Sequence, residues 1–335
     1  MSTRLKPDAI LAIESSCDET AASVVKGGRT ILSNVLNSQI RSHEATGGVV
    51  PEVAARLQLE TILPVVTAAL REAKTDWDGI DAIAVAEGPG LIGSLFVGVE
   101  TAKALAYAKQ KPLITVNHLA GHLYAALQPV KSFTFPYLGL LVSGGHTELV
   151  VMHGHHDFEL IGSTRDDAAG EAFDKVGRLL GMAYPAGAEL STLASKGDSQ
   201  TMAFPTAMLD QPNYDFSFSG MKTAARRLIE EAELTPQRRA DIAATFQAAM
   251  VKVLVTKTRR AYEAYRPKAV LLGGGVAANR LLRHELATAL KGTPLLAAPM
   301  ELTTDNAAMI GIAAYWKSEA SSVFGVTADP ALPIA

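Results

Sequence analysis

His118 and His122 stand four positions apart in VNHLAGHLYAAL, residues 116–127. The stretch reads as the end of a strand followed by the start of a helix. On a helix this spacing stacks both imidazoles on one face, one turn apart, where they can share a metal ion. Zinc peptidases use the same spacing with a glutamate directly after the first histidine, as base for a bound water. Here the intervening residues are Leu119, Ala120 and Gly121. The pair offers metal ligation without a peptidase base. Histidines at this spacing also serve as helix-capping or packing residues, so the pair by itself leaves that alternative open.

Three glycine-rich turns are the next candidates. GPGLIG (88–93) matches the dinucleotide pattern between a strand and a helix. A dinucleotide site also wants an acid at the end of the next strand for the ribose hydroxyls, and that strand ends in Asn117–His118. Pro89 removes one amide donor from the loop. This is a tight turn and not a nicotinamide site. In LVSGGHT (141–147), adjacent glycines between two strands admit close backbone approach, and Ser143 adds a hydroxyl. GGGVAAN (273–279) lies between a buried strand and a helix start, where amides and the helix dipole attract anions. Together the last two point to a nucleotide or acyl-phosphate ligand. The chain has no G-x-x-x-x-G-K-[ST] sequence, which excludes a Walker-type NTPase.

The elements that position these residues fall into two similar series. The first runs as strands at 9–13, 21–25 and 30–36, a helix at 51–73, a strand at 81–87, a helix at 94–110 and a strand at 112–116. Gly27 and Gly28 make a hairpin turn in it. The second has strands at 137–142, 148–152 and 157–164, helices at 167–182 and 238–264, a strand at 268–272, a helix to Leu290 and a strand at 294–298. A closing helix spans Thr304 to Ser318. This order is an internally duplicated α/β unit, and the expected architecture is two lobes around a central cleft. The lobes are expected at 1–134, carrying the His-x-x-x-His pair, and at 135–335, carrying the nucleotide turns. An insertion near 183–240 belongs to the second.

The chain has 335 residues, 48% of them hydrophobic and 19% charged, enough for two well-buried cores. A formal net charge of −3 does not announce a nucleic-acid binder, so such a surface must be local or shared with another subunit. Cys17 is the only cysteine, which fits a reducing compartment. The first apolar run ends at Glu14, too short for a signal peptide, and no later run reads as a membrane span. The expected location is the cytoplasm, with no membrane partner.

Eight stretches together resemble one family, the universal tRNA threonylcarbamoyltransferases (TsaD). They are IESSCDETAAS (13–23), SQIRSHEATGGVVPEVAAR (38–56), HLAGH (118–122), LLVSGGHTEL (140–149), DDAAGEAFDK (166–175), DFSFSGMKT (215–223), GGGVAANRLLR (273–283) and TTDNAAMI (303–310). The resemblance runs in order from about residue 9 to about 315. It implies a duplicated actin-like ATPase (ASKHA) fold. It also implies transfer of threonylcarbamoyl from threonylcarbamoyl-AMP to N6 of the adenosine 3′ of the anticodon, in tRNAs that read codons beginning with A. Carried over by motif, His118, His122 and Asp305 are the implied ligands of one divalent metal, Fe2+ in preference to Zn2+. Leu141, Val142, Ser143, Gly144, Gly145, Asp174, Gly187 and Asn279 are the implied adenylate-binding residues. The implied partners are tRNA, a non-catalytic paralogue subunit and a small P-loop ATPase. No catalytic acid or base is assigned.

This sequence departs from the family pattern in places. Ala120 stands where many members have Glu, Ala186 and Ala188 replace a glycine and a proline, Ser191 replaces an acid, and Glu87 replaces a small or hydroxyl residue. The three implied metal ligands are intact. With the histidines in the first half and Asp305 in the second, a metal is expected to bridge the lobes.

Transfer from a carbamic–phosphoric anhydride to an aromatic amine needs positioning and a positive centre more than covalent catalysis. Asp18 and Glu19 could accept a proton or support the site from outside. Lys175 and Lys222 either touch phosphates or lie on the surface. Ser217 and Ser219 read as loop-ordering hydroxyls, and Cys17 as an apolar filler. Arg226, Arg227, Arg238, Arg239, Lys252, Lys257, Arg259 and Arg260 either form a stripe for tRNA phosphates or a solvated helix face. Two other readings stand beside the transferase: a metabolite kinase of the same superfamily, and a scaffold paralogue. Neither needs the two histidines with Asp305.

Overall fold

The structure, a computed structural model, describes residues 7–44, 46–317 and 319–335. Its contacts divide into two compact units. The first comprises the chain up to Ser132, the short stretch His155–Asp157, and the chain from Ala298 onward; the second comprises Phe133–Gly154 and Phe158–Ala297.

In the first unit, β1 (Ala9–Glu14), β2 (Glu19–Lys26) and β3 (Thr30–Ser38) form an antiparallel meander. Gly27 and Gly28 turn β2 into β3 with φ of +58° and +65°, values that glycine adopts without strain. A side chain at Gly28 would also collide with the ring of Tyr315 at 2.3 Å. A short helix, α1 (Ile40–Glu44), and α2 (Pro51–Glu72) lead to β4 (Ala82–Gly88), then α3 (Ile92–Lys109), β5 (Leu113–Asn117) and α4 (His118–Leu127). β4 and β5 add in parallel beside β1, giving the order β3-β2-β1-β4-β5. β1 is a continuous apolar run because both of its faces are covered. Leu11 and Ile13 pack with Ile62, Val65 and Val66 of α2 and Val97 and Val99 of α3.

By length and composition α2 is apolar enough to cross a membrane, contrary to the sequence expectation that no run approaches a span. Its apolar residues continue past the packed stripe onto exposed Leu59 and Leu63, so composition alone does not set it apart from a span. The stripe itself lies in the core of the first unit.

The second unit repeats the scheme. β6 (Tyr137–Val142), β7 (Thr147–Gly154) and β8 (Asp157–Ser163) come first, followed by α5 (Ala169–Leu179), α6 (Gly187–Ala194), α7 (Ser219–Glu230) and α8 (Pro236–Tyr265). β9 (Ala269–Gly273), α9 (Arg280–Ala289) and β10 (Leu295–Ala297) complete the series. The sheet order is β10-β9-β6-β7-β8, the same arrangement as in the first unit. β6 pairs antiparallel with β7 and parallel with β9. The duplication read from the sequence is therefore a duplication of sheet topology. The expected insertion holds α6 and α7, and its Leu190, Phe204, Phe216, Phe218 and Met221 belong to the core of the second unit.

After β10 the chain does not stay in the second unit. The final helix, α10 (Ala307–Tyr315, AAMIGIAAY), packs on β1, β2 and β3 and against α4. Its apolar residues surround the whole helix, so it is stable only where it is covered on all sides. Gly311 sits where a Cβ would meet Val25 at 2.7 Å. The expected range 135–335 for the second lobe thus differs from the structure from Ala298 onward. The expected end of the closing helix, Ser318, lies outside the described residues.

Candidate metal centre and nucleotide turns

Asn117 ends β5 and caps α4: its Oδ1 accepts from the backbone N–H of Leu119 at 2.9 Å and of Ala120 at 3.2 Å. This cap makes His118 the first helical residue and puts His122 one turn on. The two rings lie 4.8 Å apart at 81°. Both are buried, at 6% and 1% exposure.

Asp305 closes the group. Its Oδ1 is 3.2 Å from His122 Nε2 and 3.6 Å from His118 Nε2, and one donor atom from each of the three residues lies within 4.8 Å of the others. All three belong to the first unit, because the chain from Ala298 onward packs there. The expectation that a metal would bridge the lobes through Asp305 is thereby corrected: all three candidate ligands lie within one unit.

Behind the ligands stands Glu14, at the end of β1 and fully buried. Its Oε2 is 3.0 Å from His118 Nδ1, and its Oε1 accepts from Ser16 N–H at 2.6 Å. Ser16 Oγ is 3.1 Å from the same Nδ1. Burial pulls the His118 pKa down, but the Glu14 and Asp305 carboxylates outweigh it and hold the group up at about 9. A carboxylate on Nδ1 orients the ring and leaves Nε2 as the candidate ligand atom.

The residues fit a divalent metal. Both ring nitrogens of His122 are buried with no hydrogen-bond partner, although Nε2 lies 3.2 Å from Asp305 Oδ1. Orphaned polar atoms of this kind are costly in a folded protein, and a cation shared by the three donors would satisfy Nε2. Two imidazoles and one carboxylate accept iron or zinc.

The first polar turn is fixed by a residue that sequence reasoning missed. Buried Gln58 of α2 donates through Nε2 to the carbonyls of Ser15 (3.2 Å), Cys17 (2.9 Å) and Glu19 (3.2 Å). Burial, together with the nearby Asp18 and Asp305 carboxylates, pushes the Cys17 thiol well above its usual range, which suits a filler and not a nucleophile. Glu19 is pushed up to about 8 by burial, against the lowering effect of the Ser38 hydroxyl that donates to Oε1 at 2.8 Å.

In the second unit the implied adenylate residues gather around two turns. Leu141 and Val142 are buried strand residues, so they offer backbone only. Ser143 N–H donates to His146 O at 2.9 Å, and Gly170 N–H donates to Ser143 O at 3.0 Å. A Cβ on Gly170 would stand 2.6 Å from Ser143 O and 2.9 Å from Gly144 Cα. Gly274, at φ +91°, approaches Val142 O in the same way, 2.4 Å from where its Cβ would be. The 141–147 turn is therefore approached closely by two glycines, Gly274 of the other turn against Val142 and Gly170 of α5 against Ser143 and Gly144. Gly144, Gly145 and Gly187 face open space. Asp174 Oδ1 accepts from Ala186 N–H at 2.8 Å and so shapes the approach to Gly187. Asn279 caps α9, its Oδ1 accepting from Leu282 N–H at 3.0 Å.

Other candidates are committed elsewhere. Lys175 pairs with Asp167 (2.7 Å) and Glu171 (2.8 Å). Ser217 and Ser219 donate through Oγ to Asp166 at 2.5 and 2.9 Å, in agreement with loop-ordering hydroxyls. Arg238, Arg239, Lys257 and Arg260 donate to backbone carbonyls of the second unit, and Arg259 pairs with Glu263. Of the basic residues considered, Arg226, Arg227 and Lys252 remain as exposed cations. In GPGLIG, Leu91 N–H donates to Ser16 O and Gly90 N–H to Pro330 O, so these amides are not available to a phosphate.

Residues 30–312 match the family described as TsaD, tRNA N6-adenosine threonylcarbamoyltransferase. The protein of that description from Lactiplantibacillus plantarum is 51% identical over 340 residues, covering 99% of this chain and 97% of that protein. That from Moorella thermoacetica is 53% identical over 312 residues, covering 92% and 91%. Among solved structures, HypF of T. kodakarensis is similar in fold, with a TM-score of 0.61 at 15% identity over 92% of this chain and 47% of that one. With the duplicated sheets, this likeness places the fold in the actin-like ATPase class. The chain belongs to the tRNA N6-adenosine threonylcarbamoyltransferase family and is a transferase that modifies tRNA.

Proposed function

We propose that the chain transfers threonylcarbamoyl from threonylcarbamoyl-AMP to N6 of the adenosine 3′ of the anticodon in tRNAs reading ANN codons. The N6 nitrogen bonds to the carbamoyl carbon, that carbon's bond to the phosphate oxygen breaks, AMP leaves, and the amine loses a proton. The observation that carries this reading beyond family membership is the convergence of His118 Nε2 and His122 Nε2 on Asp305 Oδ1, with Glu14 behind.

His118, His122 and Asp305 hold one divalent metal, iron in preference to zinc. When bound, the metal supplies a positive centre that can hold the phosphate or polarise the carbonyl of the donor. Glu14 keeps His118 oriented with Nε2 toward the ligand position. Ser143–Gly145, Asp174, Gly187 and Asn279 receive the adenylate, and the open backbone at Gly144 and Gly145 suits a phosphate or ribose. HLAGH supplies no carboxylate as base for a peptidase, and the buried Glu14 is engaged by His118 and Ser16. The chain works in the cytoplasm with a non-catalytic paralogue and a small P-loop ATPase, as family membership suggests.

The test is transfer of labelled threonylcarbamoyl from the pre-formed adenylate to unmodified ANN-decoding tRNA, with the partner subunits present. Wild type transfers, and His118→Ala/His122→Ala does not while keeping its fold. ATP consumption with a small metabolite and no transfer would overturn the proposal. Normal transfer by the double variant would make the histidines structural.

A further inference from the structure

Asn279 is the buried residue whose hydrogen bonds decide the orientation of its neighbours. Its Oδ1 accepts from Leu282 N–H at 3.0 Å, so the other terminal atom is the NH2 group. That Nδ2 donates to Gln247 Oε1 at 2.8 Å and to Ser191 Oγ at 3.1 Å. The Ser191 hydroxyl gives its own hydrogen to Gly187 O at 2.9 Å, so it can only accept from Asn279. Both Nδ2 hydrogens are spent within the protein.

The same logic fixes Gln247. Because Asn279 must donate, Gln247 must present its oxygen, and this leaves the Nε2 hydrogens on the far side of the amide. Among the described residues Gln247 Nε2 has no hydrogen-bond acceptor. Gln247 lies on α8 and is 8% exposed. The side chain is buried and held by its oxygen, while its NH2 group is not among the buried polar atoms that lack a partner, so it reaches the surface of the second unit and can donate to a bound acceptor.

We infer that Gln247 is a nucleotide-contacting residue: its Nε2 donates to an oxygen or ring-nitrogen acceptor of the adenylate, and Asn279 acts through Gln247 by orienting it. Gly187 and Asn279 are tied to the same chain of hydrogen bonds, Gly187–Ser191–Asn279–Gln247. This inference rests on the proposal that the turns of the second unit receive the adenylate. Ser191, in place of the acid common in the family, keeps the chain neutral and its donor and acceptor roles unambiguous.

The experiment is calorimetric titration of the full chain with AMP and with adenosine, for wild type, Gln247→Glu and Gln247→Met. Gln247→Glu keeps the acceptor that Asn279 needs and replaces only the free NH2 with oxygen. AMP binding is expected to weaken about tenfold or more, with melting temperature and metal content unchanged. Gln247→Met removes both ends and should weaken AMP binding at least as much. For Gln247→Met, which adds no charge beside the ligand, a matching loss with adenosine assigns the acceptor to the nucleoside half, and a loss with AMP alone assigns it to the phosphate. Gln247→Glu binding AMP as tightly as wild type would overturn this inference alone. Failure of wild type to bind AMP would overturn the adenylate reading beneath it.

Discussion

Glu14 Oε2 lies 3.0 Å from His118 Nδ1 with its carboxylate fully buried, so one ring nitrogen is held by the protein and the other is aimed at Asp305. Glu14 is not among the proposed metal ligands, yet it sets the basicity and direction of His118, which is. Glu14→Gln keeps the shape and removes the charge. The expected outcome is a loss of metal affinity of about 10- to 100-fold, read by competition with a chelator of known affinity. Unchanged affinity would mean that His118 is oriented by Ser16 and helix packing alone.

Gly170 lets the start of α5 press against the Ser143–Gly144 turn, where a methyl group would sit 2.6 Å from Ser143 O. The contacts are backbone atoms, which cannot swing aside. Gly170→Ala is expected to destabilise the protein by about 1–3 kcal/mol and to weaken AMP binding, because the displaced turn is the proposed nucleotide floor. Thermal melting and AMP titration on the same preparation check the two halves. A fall in stability with unaltered AMP affinity would separate the turn from the nucleotide.

How much of this was legible in sequence differs residue by residue. The His118–His122 pair could be read because an i, i+4 relation is local and periodic. Glu14 could not, since its partner is 104 positions away; the available hint was a glutamate closing an apolar strand. Asp305 was recognisable only through family resemblance, and its unit was misplaced, because nothing in AAMIGIAAY states which sheet will cover it. The succession of strands and helices could be read as a repeat of element types, since each element carries its own pattern, whereas the order of strands within each sheet depends on pairings between distant segments. Gln58 and Gln247 gave no signal: a lone glutamine in an amphipathic helix looks like a surface residue until its long-range partners are known.

Asp166 accepts from Ser217 Oγ, Ser219 Oγ and the backbone N–H groups of Phe218 (2.7 Å) and Ser219 (3.2 Å). It thus serves the start of α7 as a cap residue would, from a distant segment. Asp166→Ala is expected to cost about 1–2 kcal/mol of stability, visible as a lower urea midpoint. Ser217→Ala, which leaves the carboxylate and both backbone donors in place, should keep transfer within about threefold of wild type, a change worth roughly 0.6 kcal/mol. A loss of several orders of magnitude in Ser217→Ala would give that hydroxyl a chemical role.

His156 supplies a pH dependence outside the metal centre. Its Nε2 is 2.8 Å from Ala313 O, and a carbonyl only accepts, so Nε2 carries the hydrogen of the neutral ring. The ring stacks on Tyr124 at 5.0 Å between centroids. Burial first, then the Lys317 and His155 charges, outweigh the Ala313 carbonyl and pull its pKa from 6.5 down to about 4. Above pH 6.5 the imidazole is neutral both folded and unfolded, and stability is at its full value. As the pH falls from about 6.5 to about 4 the unfolded chain takes up a proton that the folded one refuses, so stability is lost, by about 3 kcal/mol at most. His156→Asn tolerates the left-handed backbone at this position, φ +56°, and does not titrate. The difference between wild-type and His156→Asn stability, from urea unfolding at a series of pH values, should therefore change across that window and stay flat above it. A flat difference throughout would mean that water reaches the ring and that its proton is gained equally in both states.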